Sequence, residues 1–172
     1  MKTTHPNTAL VLAVVSALAL TGCGAKTQAC KLAEQTEAEV LSAWREGGMA
    51  AQAEQRRGIW AANMEAIRQS NQGPAQTIQG FKTQFSATAE LEEDFVQKLV
   101  AQNGDMKAGK PVAENGADLM RFLFMGPKDG KTPKQRAADY TPRIAENEQM
   151  IEAHKKAAAI CRKAVAKLQG MS

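Results

Sequence analysis

The chain has 172 residues and a mass of 18.5 kDa, a size that fits one domain and is too short for two large lobes around a deep cleft. Apolar residues make up 44% and charged residues 23%, which excludes wholesale disorder and a multi-span membrane protein. Five Phe, two Trp and one Tyr are too few for a β-sandwich or barrel, so a core of Ala, Leu, Val, Ile and Met points to helices. The formal net charge of +4 is a mild excess, without the dense basic cluster and interleaved aromatics of a nucleic-acid binder.

The amino-terminal segment comes first. Lys2 precedes a weakly polar run from Thr8 to Leu20 that spans about 20 Å as a helix, short of the roughly 30 Å hydrocarbon core of a bilayer. It reads as the apolar part of a signal peptide rather than a membrane span. The run ends in Leu20-Thr21-Gly22-Cys23, an apolar residue, two small ones and a cysteine. These four residues resemble the lipobox of bacterial lipoproteins. The resemblance covers about the first 23 residues and implies cleavage before Cys23, with lipidation of that cysteine. Residue 24 is Gly rather than the Asp that favours inner-membrane retention in this class, which implies the periplasmic face of the outer membrane.

On that reading residues 1–22 are a cleaved signal, residues 23–29 a short lipid-anchored tether and residues 30–172 the folded domain. Removing the signal leaves 21 basic and 18 acidic residues, a net +3. The seven steps from Cys23 to Cys30 reach at most about 25 Å, so the folded body is held close to the membrane. With Cys23 lipidated, Cys30 and Cys161 remain as an even pair in an oxidising compartment, and a disulfide between them is expected. It would close a loop of 131 residues, worth on the order of 5 kcal/mol by chain entropy. Neither cysteine has a C-x-x-C partner, so thioredoxin-like chemistry and c-type haem attachment find no support.

From Gln28 onward nearly every long stretch has helical character. Residues 28–46 turn Ala33, Val40, Leu41 and Trp44 to one side, and Gly47-Gly48 breaks the helix. A second helix from Met49 to about Gln72 offers Ile59, Trp60, Met64 and Ile67. Gly73-Pro74 separates it from a third, Pro74 to Gln102, with Ile78, Phe81, Phe85, Leu91, Phe95, Leu99 and Val100 as expected core residues. Asn103 to Pro111 reads as a loop. A short helix then carries the apolar run Leu119 to Met125, ended by Gly126-Pro127.

Thr132-Pro133-Lys134-Gln135 predicts a capping box. The last helix runs from Pro142 to Gln169. In it Ile144, Ile151, Ala158 and Val165 recur every seven residues, with His154, Cys161 and Leu168 in the companion heptad positions. Lys155, Lys156, Arg162, Lys163 and Lys167 cluster on the other side. The expected fold is all-α: an irregular bundle of four to five helical segments with a long carboxy-terminal helix, antiparallel to the first and stapled to it by the disulfide.

Few residues carry chemistry. Past the signal the chain has one histidine, His154, which excludes multi-histidine metal sites, and no G-x-S-x-G, H-E-x-x-H or P-loop motif occurs. His154 reads as a hydrogen-bonded core residue; the alternative is an axial haem ligand paired with Met49 or Met64. Glu90, Glu92, Glu93 and Asp94 read as a solvated helix face, without the loop geometry of a calcium site. Leu119 to Met125, with Phe122 and Phe124, is either core or a partner surface. The basic stripe is a candidate contact for anionic lipid or a partner.

These readings converge on a non-enzymatic, outer-membrane-anchored periplasmic lipoprotein, without cofactor or metal, that acts as a helical binding or scaffolding module for another envelope protein. The alternative is a carrier of lipid or haem inside the bundle.

Overall fold

A computed structural model describes residues 7–70, 72–112 and 129–171. The described residues form five helices: α1 (Asn7–Glu46), α2 (Ala50–Gln69), α3 (Pro74–Lys107), α4 (Pro133–Asp139) and α5 (Thr141–Gln169). No strand occurs among them, so the fold is all-α. The expected short helix over Leu119 to Met125, with Phe122 and Phe124, lies outside the described residues.

Alanine and long unbranched side chains favour these helices, and glycine and proline end them. α1 stops at Gly47-Gly48, where Gly48 takes φ +77°, a left-handed conformation that costs glycine least. Gly73 caps α3 and Pro74 fills its first turn. The predicted capping box is formed: Thr132 Oγ1 accepts from the Gln135 amide at 3.3 Å, and Gln135 Oε1 accepts from the Thr132 amide at 2.9 Å.

α5 packs on both α1 and α3 in antiparallel fashion. Its inner stripe is Asn147, Ile151, His154, Ala158, Cys161 and Leu168, all buried, as the heptad requires. Ala33, Val40, Leu41 and Trp44 of α1 and Ile78, Phe81 and Phe85 of α3 meet it in one core. Lys155, Lys156, Arg162, Lys163 and Lys167 lie on the exposed side of α5.

Several expectations are corrected. Cys30 and Cys161 are free thiols, Cys30 half-buried and Cys161 fully buried, so no disulfide staples the bundle. The reason is helix register. Lys156 of α5 reaches Glu46 of α1 at 2.5 Å, and Ile160 to Lys167 lie along Leu32 to Glu39. Cys30 is thereby level with the last turn of α5, at least eight residues and about 12 Å past Cys161. The stretch 23–29, read as a tether, continues α1; Ala29 is fully buried and Ala25 packs on the core.

α3 runs five residues beyond Gln102, because Asn103 and Met106 continue its buried stripe while Gly104 faces outward. Asn147 Nδ2 donates to Asn103 Oδ1 at 2.8 Å, tying this extension to α5. That stripe is Phe81, Phe85, Ala89 and Glu92 at steps of four, four and three, resumed eleven residues on, about three turns, by Asn103 and Met106. Leu91 and Val100 stand off it and are 50% and 53% exposed, and Ile59 of α2 is 65% exposed. No described helix is long and apolar enough to cross a membrane.

Candidate functional site

The polar feature of the interior is built around Glu92, which the acidic run Glu90 to Asp94 had suggested as a solvated residue. It is 0% exposed, because it takes the α3 position that follows Phe85 and Ala89 on the buried stripe. Its neighbour Glu93 does stay at the surface.

Three helices supply donors to the Glu92 carboxylate. Trp44 of α1 gives its indole N–H to Oε2 at 3.0 Å, and His154 of α5 places Nδ1 at 2.5 Å from the same oxygen. Arg56 of α2 donates from a terminal nitrogen to Oε1 at 2.9 Å. A buried carboxylate costs several kcal/mol to desolvate, and three hydrogen-bond partners, one of them the Arg56 guanidinium, are what make the position tenable.

Aromatic rings complete the cluster. The Arg56 guanidinium carbon lies 5.0 Å from the Trp44 ring centre and 4.8 Å from that of Phe95, within the range of cation–π attraction. Phe95 stacks on the His154 imidazole at 5.2 Å and 18°. Trp44 in turn meets Trp60 at 5.9 Å, and Trp60 meets Phe85 at 6.3 Å. The contacts run from α5 through α3 and α2 to α1 and fix all four long helices around one charge.

His154 is therefore a hydrogen-bonded core residue, 4% exposed, as the first of its two readings had it. Its Nδ1 is engaged by Glu92 and its ring by Phe95, while Met49 and Met64, the candidate haem partners, are buried in the hydrophobic core. Cys161 lies in the same interior, where burial first and the Glu92 charge second push its thiol up to about 12. Among the described residues no group of three or more His, Cys, Asp or Glu side chains converges as a metal site would need.

Three residues of the basic stripe are ion-paired. Arg162 makes two hydrogen bonds to Glu93, each 2.6 Å, and these hold the Glu93 carboxyl below the usual carboxylate range. The hydrogen bond from Lys156 lowers Glu46 in the same way. Lys155 pairs with Glu152 at 2.8 Å. Lys163 and Lys167 line a shallow groove with Leu32 and Glu39. Lys155 and Lys156 sit towards the Gly47 end of the bundle and only Lys163 and Lys167 towards the Cys23 end, a separation of about 18 Å over the twelve residues from 155 to 167.

Of the residues in the cluster, sequence reasoning singled out His154 as a polar site and Trp44 and Phe95 as core; it missed Glu92 as an interior residue and Arg56 altogether. The spacing Phe81, Phe85, Ala89, Glu92 was a usable signal for Glu92. Nothing local marks Arg56, whose partner lies 36 residues away. In comparisons with family models, with characterised proteins and with solved structures, the chain matches none.

Proposed function

We propose that the protein is a lipid-anchored, non-enzymatic helical binding module, held at the periplasmic face of the outer membrane through Cys23, that engages another envelope protein. The observation that carries this reading is the lipobox-like Leu20-Thr21-Gly22-Cys23 together with the continuity of α1, which runs from that cysteine into the core without a break. A lipid at Cys23 would then sit about two turns from Ala29, a fully buried residue, and would hold the whole bundle at the bilayer. Several acyl chains make such an anchor durable where one does not.

The absence of catalysis is part of the same proposal. His154, the only histidine of the mature chain, is engaged with Glu92 and Phe95 and presents no accessible acid–base pair.

The anchor is tested by the intact mass of membrane-extracted protein, with Cys23→Ser as control. A species starting at Cys23 and heavier by a lipid moiety is expected, and an unprocessed or unlipidated chain overturns the anchor. Crosslinking of the anchored protein in cells tests the module: a single recurrent envelope protein is expected, and none at all returns attention to a lipid or haem ligand.

A further inference from the structure

Arg56 differs from the other members of the Glu92 cluster. Its side chain is 31% exposed where those of Glu92 and His154 are 1% and 5% exposed, so it enters the site from the solvent side. It also belongs to the least buried of the four long helices. Of the 20 residues of α2 only Ala53, Trp60 and Met64 are buried, and α2 packs on α1 and α3 but not on α5. The buried side-chain nitrogens left without a hydrogen-bond partner among the described residues, Trp60 Nε1 and two of Arg68, are all on α2. The Arg68 guanidinium is nonetheless ion-paired with Glu34 of α1 at 3.8 Å and with Glu65 of its own helix at 3.5 Å.

Without the Arg56 side chain, what remains is two aromatic rings and a buried carboxylate arranged around the space of a planar cation. That is the chemistry that recognises a guanidinium: ring faces for cation–π contact and a carboxylate for charged hydrogen bonds. The Arg56 guanidinium itself demonstrates the fit, with its 2.9 Å bond to Glu92 and its approach to both rings.

We propose that Trp44, Glu92 and Phe95 form a recognition cage for a guanidinium group, occupied in cis by Arg56, whose ligand in trans is an arginine side chain of a partner protein. Exchange requires the Arg56 side chain to rotate into solvent while Trp44 and His154 keep their bonds to Glu92. The cis occupant lowers the apparent affinity by the fraction of time the cage is filled, so it acts as a built-in competitor. The inference deepens the binding-module reading and rests on it, but not on the anchor at Cys23.

The test uses the full-length protein in detergent, with methylguanidinium, methylammonium and N-acetylarginine amide as probes. The readout is the NMR signal of the Trp44 indole N–H, which is bonded to Glu92. Wild type is expected to bind both guanidinium probes weakly and saturably, Arg56→Ala at least about tenfold more tightly, and methylammonium more weakly than either. Adding Glu92→Gln to Arg56→Ala abolishes binding. If Arg56→Ala does not fold, Arg56→Gln, which keeps the first part of the stem and a neutral donor but is too short to fill the cage, takes its place. Absence of saturable binding in the folded Arg56 variant, binding that survives Glu92→Gln, or equal binding of methylammonium overturns the cage. Lipidation is not probed by any of these, so the cage and the anchor fail independently.

Discussion

Glu92 shows how far position can override residue type. A carboxylate in a run of four acidic residues has every local reason to face water, yet the three-and-four spacing set by Phe81 and Phe85 carries it inside. Its charge is then met by Trp44, Arg56 and His154. Glu92→Gln removes that charge and turns half of an acceptor into a donor facing three donors. The expected cost is about 3 kcal/mol, the scale of breaking a buried pair from one side. Urea unfolding followed by tryptophan fluorescence checks it, and a loss below about 1 kcal/mol would show that the cluster is not a structural centre. The sequence shows where this residue falls on its helix; it does not show that residues 36, 48 and 62 positions away converge on it.

At the scale of elements, α5 was the most legible because a heptad over 29 residues with no interior Gly or Pro leaves little choice of face. The capping box at Thr132 was legible for a similar reason, as four adjacent residues contain the whole motif. The end of α3 was not, since Asn103 and Gly104 are poor helix formers and are held helical by burial and by the Asn103–Asn147 hydrogen bond. Likewise Ile59, Leu91 and Val100 are apolar but sit off the buried stripes that tertiary packing selected.

The turn between α1 and α2 contains two glycines needed for different reasons. A side chain at Gly47 would overlap the Cβ of Ala153, whereas Gly48 has open space but a positive φ. Gly47→Ala is expected to cost about 2 kcal/mol by overpacking and Gly48→Ala about 1 kcal/mol by backbone strain. Adding Ala153→Gly should recover much of the loss at Gly47 and none at Gly48. Thermal unfolding of the four variants decides between these causes, and equal rescue at both positions would refute the assignment.

For the molecule as a whole, the arrangement of α1 against α5 sets the state of the thiols. Two helices can be antiparallel neighbours, as expected, and still carry their cysteines two turns out of step. The protein is therefore expected to show the same melting temperature with and without reductant. Alkylating reagent should modify half-buried Cys30 in the native state and reach Cys161 only after unfolding, because that thiol is buried and pushed up to about 12. Mass spectrometry after labelling reads this directly; protection of both cysteines until reduction would restore the disulfide.

The sequence by itself determined the all-helical class, the glycine and proline breaks at Gly47-Gly48 and Gly73-Pro74, the inner and outer faces of α5 and the capping box. Each depends on residues within about two turns of one another, where spacing and backbone preference act directly. Only the tertiary structure decided the register of α1 on α5, the free state of Cys30 and Cys161, and the burial of Glu92 with Arg56. Those depend on which helices meet and at what axial offset, a balance of packing over the whole core that no local window contains.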